Sequence, residues 1–330
     1  MKIRIHPGHN ALYYSYYLWG LSHRYGWDNI EYMAEGFPKL HHHCLSYIIN
    51  DDQRIKKVYI SAGDGTGINQ KGLEWCDIYG KVNIDPTVIL EDYLRKVTAI
   101  GPGFGIQFLS FPQTLLRSFK TYVTNRNQIN NAREHFANYY RQFRYRLPID
   151  AYVPDRSENT YIFFAASLWS KEAEVNQLRA SFVDVCRSLP GIDFEGGFPR
   201  KKGKNVPGFE SYMIEQRYSM AEYIEKTQRS AVVFNTSAVQ NCLGWKLGEF
   251  LALGKAIIST PLSRKMPTPL EHGIHVHYLD DTSAKSLYEA IKTVCQDDYY
   301  RKQLEEGARY YYMKYLHPER VLARLHDMNT

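Results

Sequence analysis

Residues 241–260 read NCLGWKLGEFLALGKAIIST, a pattern that predicts a helix leading directly into a strand. Four apolar residues follow helical spacing and make one stripe that faces the core: Leu243, Leu247, Phe250 and Leu251. Gly254 ends the helix, because glycine tolerates the left-handed conformation found at such ends. The next residues, 256–259, form a short apolar run that is typical of a strand buried on both faces of a parallel sheet.

The same helix carries charge on its first turns. Lys246 and Glu249 are three positions apart, so they are neighbours on the helix surface and lie off the apolar stripe. Two interpretations are open: an exposed ion pair on an ordinary βα unit, or part of a binding site at the start of the helix.

Composition and charge limit the classes of protein that fit. The chain has 330 residues and is 44% hydrophobic, which is enough for a large core and two domains. Its net charge of +6 suits an anionic ligand, a phosphorylated substrate or an anionic membrane surface, and we expect no nucleic-acid partner. Five cysteines without paired spacing argue against a disulfide framework or a structural zinc site: Cys44, Cys76, Cys186, Cys242 and Cys295.

The first residues, MKIRIHPGHN, enter a strand directly and predict no secretory signal. No apolar run approaches the length needed to cross a bilayer. We therefore expect a cytoplasmic protein, with peripheral contact at the inner face of the plasma membrane as the alternative.

Strands alternate with helices along the chain, which predicts parallel α/β sheets. In the first half, strand candidates occupy 3–5, 57–62 and 75–79, with shorter pieces near 81–84 and 97–100 and a tyrosine-rich helix at 11–24. In the second half, strands at 161–166, 231–235, 256–259 and 275–279 and a strand with a basic loop at 192–204 alternate with helices at 172–189, 220–228 and 283–295.

The proline-containing stretch 147–154 interrupts this alternation and sets a domain boundary at residue 150. We predict Rossmann-like domains at 1–150 and 151–310, and a final helix within 311–330 that crosses back to the N-terminal domain. Ligands of doubly wound sheets bind beyond the carboxyl ends of the strands, so we expect the two domains to face a cleft.

The second half resembles the donor-binding domain of GT-B glycosyltransferases that use nucleotide sugars, the glycosyl transferases group 1 family. In that family, a strand ending in serine leads to a loop, a glutamate, seven residues and a second glutamate on a helix, followed by a phrase like EA-ACGKPVIAS. The matching segments here are VVFNTS at 232–237, NCLGWKLGE at 241–249 and FLALGKAIIST at 250–260. The second glutamate falls on Glu249, whereas the first falls on Asn241, where this chain departs from the pattern.

The resemblance implies the GT-B fold and a nucleotide-sugar donor held by the C-terminal domain. It implies that Glu249 accepts hydrogen bonds from the ribose hydroxyls of that donor. In the family, an arginine after the first strand and a lysine beyond it hold the phosphates. The corresponding residues here, AASLWSKE at 165–172, lack the arginine and leave Lys171 for a similar role. Arg200 and Lys201, in the basic loop, are another source of positive charge, with a solvated loop as the alternative.

Elementary physical chemistry also favours a diphosphate-binding site at the start of this helix. A helix N-terminus offers N–H groups and positive dipole character to a diphosphate. The loop 236–244 feeds such an N-terminus, with Lys246 nearby as a point charge and Gly244 allowing close approach of the backbone. The predicted donor-binding set is therefore Glu249, Lys246, Gly244, Ser237, Asn241 and Lys171.

Two residues of the first half are candidates for catalysis. His9, in the turn HPGHN after the first strand, is a candidate general base for the acceptor hydroxyl, with a turn histidine bonded to backbone as the alternative. Asp64, in the glycine-rich stretch SAGDGTG at 61–67, is a second candidate base, with an ordinary turn aspartate as the alternative.

Metal-dependent chemistry is not indicated. The histidines at 41–43 are adjacent and point apart, and no D-x-D pair suited to a metal-held diphosphate is present. We expect no metal ion and no other cofactor, since a nucleotide sugar is itself a substrate.

The segment 117–146 interleaves basic and aromatic residues. Such a pattern suits an anionic membrane interface or a lipid-diphosphate acceptor, and also RNA. The ordinary alternative is a helix whose aromatic side chains pack and whose arginines stay in water. We predict peripheral contact with an anionic membrane through this segment.

Together these features predict a glycosyltransferase (a hexosyltransferase-like enzyme) that moves a sugar to a glycan or lipid-linked glycan, in surface polysaccharide or glycoconjugate synthesis. A sugar-nucleotide epimerase of the same architecture is one alternative. A non-catalytic nucleotide- or glycan-binding protein with a degenerate site is another, because of Asn241 and the missing arginine.

Overall fold

The computed structural model describes residues 1–39, 44–51, 54–87, 95–200 and 206–327. The chain divides into two compact units. The first comprises Met1–Asp150, Arg264–Thr268 and Lys314–Thr330, and the second comprises Ala151–Ser263 and Pro269–Met313. The short segment Arg264–Thr268 joins the first unit through its backbone, because the N–H of Lys265 donates to the carbonyl of Ile84 at 2.9 Å.

The first unit is built on a six-stranded sheet with the order β2-β1-β3-β4-β5-β6. Its strands are β1 (Lys2–Ile5), β2 (Ile30–Tyr32), β3 (Leu45–Asp51), β4 (Arg54–Ser61), β5 (Ile78–Lys81) and β6 (Val97–Ala99). Strand β3 runs antiparallel to β1 and β4, and the other neighbours are parallel. The expected wholly parallel sheet is therefore wrong in this unit, because β3 and β4 form a hairpin in which Asp51 pairs with Arg54.

The strand predicted at 75–79 is also displaced. Residues Gln70–Trp75 form helix α2 instead, whose N-cap Asn69 accepts a hydrogen bond from the N–H of Gly72 at 2.8 Å. The strand begins three residues after Trp75, at Ile78. The other helices of this unit are α1 (Ser15–Tyr25), α3 (Phe111–Asn125), α4 (Ala132–Tyr145) and α10 (Pro318–Asp327).

The second unit contains six parallel strands: β7 (Tyr161–Ala165), β8 (Asp193–Pro199), β9 (Met213–Ile214), β10 (Val233–Asn235), β11 (Ile257–Ser259) and β12 (His277–Tyr278). They form two triplets, β7-β8-β9 and β10-β11-β12. The triplets lie side by side, since the N–H of Ala231 donates to the carbonyl of Tyr161 at 2.7 Å. The resulting strand order is β9-β8-β7-β10-β11-β12. Successive strands are added outward from β7 on one side and outward from β10 on the other, which is the doubly wound arrangement, so the strand order reverses between β7 and β10. The predicted parallel α/β fold is confirmed for this unit.

Helices α5 (Ala173–Ser188), α6 (Met220–Arg229), α7 (Trp245–Ala252), α8 (Ala284–Gln296) and α9 (Asp298–Tyr311) complete the second unit. One continuous core joins its strands to α5, α8 and α9, with Ile162, Phe182 and Ile258 fully buried. Helix α7 begins and α8 ends within two residues of the predicted positions, whereas α9 was not anticipated.

The last helix belongs to the first unit, where it packs on α1. The approach is close at Gly20, where a Cβ would lie 2.8 Å from Leu322 Cδ1. Just before this helix, the hydroxyl of Tyr16 donates to the carbonyl of Leu316 at 2.6 Å. Tyr16 and Tyr17 are buried, so part of the unusual tyrosine content serves this core.

Candidate functional site

The reversal of strand order in the second unit places two loops together. The loop 166–172 leaves β7 for α5, and the loop 236–244 leaves β10 for α7. In doubly wound sheets, ligands bind at this point, beyond the carboxyl ends of the strands. All of the predicted donor-binding residues except those of the basic loop lie on these two loops or on the first turns of α7.

A buried arginine, which sequence reasoning missed, joins the two loops. Arg179 of α5 donates from Nε to Thr236 Oγ1 at 2.9 Å, from Nη1 to the Ser167 carbonyl at 2.9 Å, and from Nη2 to the Ser237 carbonyl at 3.4 Å. Burial lowers the pKa of Arg179 to about 10, although the carboxylate of Glu172 acts in the opposite direction. Arg179 therefore remains charged at neutral pH and fixes the spacing of the loops.

The loop 236–244 is further ordered by its own turn. Gln240 and Asn241 have φ angles of 56° and 58°, in the left-handed region. The N–H of Gln240 donates to Glu172 Oε1 at 3.0 Å, and the carbonyl of Asn241 accepts from Ser263 Oγ at 2.9 Å. Asn241 itself is exposed. The position at which the family pattern has its first glutamate is thus the corner of a tight turn.

Lys246 and Glu249 lie at the start of α7, as predicted, but they are not an exposed pair. Glu249 is only 4% exposed, which rules out the surface interpretation. Lys246 donates from Nζ to the carbonyl of Ala165, at the carboxyl end of β7, and its Nζ lies 4.8 Å from the ring centroid of Tyr223. Although the residue as a whole is half-buried, its ammonium is enclosed, and this burial lowers the pKa of Lys246 to about 8 against the opposing attraction of Glu249.

Gly244 is the N-cap of α7 and adopts an extended conformation. Glycine has no side chain, so it leaves the N–H groups of the first turn uncapped. Helix N-termini that bind anions offer such N–H groups. A Cβ at this position would lie 3.3 Å from the Cβ of Ala238, so the turn is tightly packed against the loop.

Three basic candidates remain: Lys171, Arg200 and Lys201. Lys171 is exposed on the loop after β7. Arg200 follows β8 and is paired there with Glu215, with Nε and Oε1 2.6 Å apart and both side chains largely exposed. Lys201 lies outside the described residues, as do the histidines at 41–43.

In the first unit, His9 is buried against its own turn. Its Nδ1 lies 2.9 Å from the carbonyl of His6, and its ring stacks on Tyr32 with centroids 5.4 Å apart. Burial lowers the pKa of His9 to about 4, although the hydrogen bond to His6 opposes this effect. His9 is therefore neutral at physiological pH, and its geometry is that of a packed turn histidine.

Asp64 lies exposed on the loop that follows β4. Three side chains hold this loop: Lys81 Nζ donates to the carbonyl of Gly65 at 3.1 Å, Asn83 Nδ2 to that of Gly63 at 2.9 Å, and the Tyr13 hydroxyl to that of Ala62 at 2.9 Å. Lys81 is buried, and this burial lowers its pKa to about 8. The loop therefore displays Asp64 from a fixed backbone at the carboxyl end of β4.

The described residues set two limits on the site. Within those residues, no group of three or more His, Cys, Asp or Glu side chains is arranged to hold a metal ion. None of the described helices combines the length and the apolar character that crossing a bilayer requires.

No protein-family model and no curated protein matches this chain. Among solved structures, it is similar to a glycosyltransferase from Rickettsia africae ESF-5, with 13% identity, a TM-score of 0.45, and coverage of 82% of this chain and 71% of that one. It is also similar to Anabaena Alr3699/HepE in complex with UDP and glucose, with 11% identity, a TM-score of 0.44, and coverage of 81% and 70%.

A third similar structure is an α-glucosyltransferase in complex with UDP and a 13-mer DNA, with 10% identity, a TM-score of 0.42, and coverage of 99% of both chains. Glycosyltransferases, the family that the residues at 232–260 resemble, are thus found among the solved structures similar to this chain, at low identity and with low TM-scores.

Proposed function

We propose that this chain is a glycosyltransferase that moves a sugar from a nucleotide-sugar donor to a glycan or lipid-linked glycan acceptor, without a metal or other cofactor, in surface polysaccharide or glycoconjugate synthesis. The observation that carries this proposal is the buried carboxylate of Glu249, three residues from the enclosed ammonium of Lys246, on the first two turns of α7. Lys246 offsets part of the cost of burying this carboxylate, because the two opposite charges attract each other.

Each half of a nucleotide diphosphate has a complementary group in this arrangement. The Glu249 carboxylate can accept hydrogen bonds from two ribose hydroxyls at once. The diphosphate is anionic and suits the N-terminus of α7, with Lys246 as a nearby cation and the backbone around Ser237 and Gly244 close to the ligand. Lys171 and, from the basic loop, Arg200 and Lys201 are further proposed phosphate contacts.

We assign Arg179 a positioning role and not a phosphate contact. Three of its donors are already used by Ser167, Thr236 and Ser237. Since these acceptors come from both loops at the reversal point, Arg179 keeps the loop of Ser237 and Gly244 in the place from which it would reach the donor.

The first unit is proposed to bind the acceptor and to supply any general base. Asp64 is exposed and can be reached by a hydroxyl group of an acceptor, whereas the ring of His9 is stacked on Tyr32 and its Nδ1 lies against the carbonyl of its own turn. Asp64 is therefore the better of the two candidate bases in this conformation.

The test is a panel of UDP-, GDP-, CMP- and dTDP-sugars, incubated with the protein in the presence and absence of glycan and lipid-linked glycan acceptors. Nucleotide release that depends on the acceptor is expected for one donor. Glu249→Gln removes the charge and one acceptor oxygen, so kcat/KM should fall about 10- to 100-fold, as is common when a charge-assisted hydrogen bond is lost.

Glu289→Gln, the same change at an exposed site on α8, is the matched control and should leave the rate unchanged. Conversion of the donor sugar without an acceptor would identify an epimerase instead. Binding of a nucleotide without turnover of any donor would identify a binding protein, and the exposed Asn241 is the feature that favours this outcome.

A further inference from the structure

Helix α3 turns its apolar side towards solvent. Five of its large hydrophobic residues are each between 48% and 68% exposed: Phe111, Leu115, Leu116, Phe119 and Val123. At about 100° per residue, they fall within one arc of about 140° around the helix axis. We call these five residues the α3 face. A contiguous apolar face of this kind on a folded protein marks an interaction surface.

The buried side of α3 is polar. It consists of Thr114, Ser118, Thr121 and Asn125. These residues are fixed by hydrogen bonds: Gln142 Nε2 donates to Thr114 Oγ1 at 2.9 Å, and Asn125 Nδ2 donates to the carbonyl of Tyr32 at 2.9 Å. Because the polar side is satisfied inside, rotating the helix to bury the α3 face would break these bonds. The outward orientation is therefore built into the fold.

The sequence of α3 and of the loop that follows it carries charge of one sign. Residues 111–133 contain Arg117, Lys120, Arg126 and Arg133 and no aspartate or glutamate. Lys120, Arg126 and Arg133 are exposed, whereas Arg117 is half-buried and its guanidinium carbon lies 3.9 Å from the centroid of the Trp27 ring. An apolar helix face bordered by cations is the pattern of helices that lie in the interface of an anionic bilayer.

We propose that the α3 face inserts into the interface of an anionic lipid membrane, with Lys120 and Arg126 placed to contact the headgroups. A second copy of the chain fits less well, because a symmetric contact between two α3 faces would bring their cations together across the interface. The lipid leaflet supplies both the apolar layer and the negative charge that this surface lacks.

The α3 face shares only part of its residues with the segment 117–146, for which the sequence predicts membrane contact. On α4, His135, Asn138 and Tyr139 are buried, and Phe136 packs on Tyr122 with centroids 5.2 Å apart, so much of that helix serves the core. The α3 face instead begins at Phe111, before the predicted segment. The inference does not depend on the donor site of the second unit, and its test needs no nucleotide or sugar.

The experiment is flotation of the full chain with vesicles of equimolar phosphatidylcholine and phosphatidylglycerol at low salt. The wild type should float with the vesicles, and high salt should weaken its binding. The double variant Leu116→Ser, Phe119→Ser should lose most of the binding, and Lys120→Ala, Arg126→Ala should reduce it. All four residues are exposed, so urea unfolding of these variants should match that of the wild type.

The matched control is the double variant Ile55→Ser, Tyr299→Ser, which removes two large exposed apolar residues elsewhere, and it should float like the wild type. The proposal is overturned if the wild type stays at the bottom, if the α3 variant floats as well as the control, or if pure phosphatidylcholine vesicles bind equally well. Sedimentation velocity provides a further check: self-association that only the α3 variant abolishes would assign the face to a second copy and would also overturn it.

Discussion

A single buried cation determines the local geometry of the candidate donor site. The guanidinium of Arg179 is planar and carries five N–H groups in fixed directions, so one side chain can bind acceptors on two different loops. A lysine carries its three N–H groups on one nitrogen, which does not match acceptors that are placed around the three nitrogens of a guanidinium. The loop that leads into α7 therefore depends on a residue that would touch no substrate.

Replacing Arg179 with methionine should destabilise the second unit and weaken nucleotide binding. The variant keeps the apolar stem but leaves three acceptors without the charged donor, which we expect to cost about 3 kcal/mol in the free energy of unfolding. Urea unfolding measures this change. Arg187→Met, an exposed arginine on the same helix, should cost no more than about 0.5 kcal/mol. Equal stability of the two variants would contradict the positioning role.

At the residue scale, the sequence predicts those site residues that a short stretch of neighbouring positions reveals. Lys246 and Glu249 are visible because helical spacing places them together at a helix start. Arg179 and Lys81 are not, because their acceptors lie on loops that are 12 or more positions away in the chain, and only the folded sheet brings them together. The burial of Glu249 could not be predicted either, because helical spacing shows which residues share a face but not how deeply that face is buried.

At the scale of single elements, the pairing of β7 with β8 depends on one glycine. Gly196 of β8 has a φ angle of 131°, and a Cβ there would lie 1.8 Å from the carbonyl oxygen of Phe164. The two strands can keep their pairing only if residue 196 lacks a side chain. This contact lies one residue before the carboxyl end of β7, where Ala165 accepts the hydrogen bond from Lys246.

Gly196→Ala should therefore force β7 and β8 apart and destabilise the second unit by about 3 kcal/mol or more, as severe overpacking does. Gly191→Ala is the matched control, because its φ of 77° is also positive but no atom lies within 4 Å of the added Cβ. That control should cost only about 1 kcal/mol, from backbone strain. Urea unfolding of both variants checks the difference, and equal losses would show that strain alone, without the close strand contact, accounts for the effect.

The success of prediction also differs from element to element. In the second unit, the strands β7, β10 and β11 are short, mostly buried apolar runs separated by amphipathic helices, so periodicity locates most of the elements. In the first unit, α2 escaped because six residues are too few to show helical periodicity. Strand β3 escaped because LSYIIND lacks the alternation of apolar and polar residues that marks a half-buried strand. A helix is one of the interpretations open for the segment 117–146, but the outward orientation of the apolar side of α3 depends on partners such as Gln142 and Tyr32, which no helical period reveals.

At the scale of the whole molecule, two α/β units share one chain that returns to its beginning. The carboxyl edge of the second sheet carries Glu249 and Lys246, and the carboxyl edge of the first carries the loop of Asp64. Helix α10 adds its buried residues Leu322 and Leu325 to the first unit, so the last residues of the described chain complete the core that the first residues begin. The sequence could predict this return only as a helix of suitable pattern, since its docking site on α1 is set by Gly20 and its neighbours.

The central claim is that the second unit binds the nucleotide of a sugar donor through Glu249. A thermal-shift screen of UDP, GDP, CMP and dTDP with their sugars, on the wild type, Glu249→Gln and Glu289→Gln, tests it most directly. A nucleotide present at about 100 times its dissociation constant should add about 2.7 kcal/mol to the stability of the native state. We expect one nucleotide to raise the melting temperature of the wild type and of Glu289→Gln, and to raise that of Glu249→Gln much less, because a 10- to 100-fold loss in affinity leaves only about 0.4 to 1.4 kcal/mol of that stabilisation. A shift with none of them, or an equal shift in Glu249→Gln, would contradict the account.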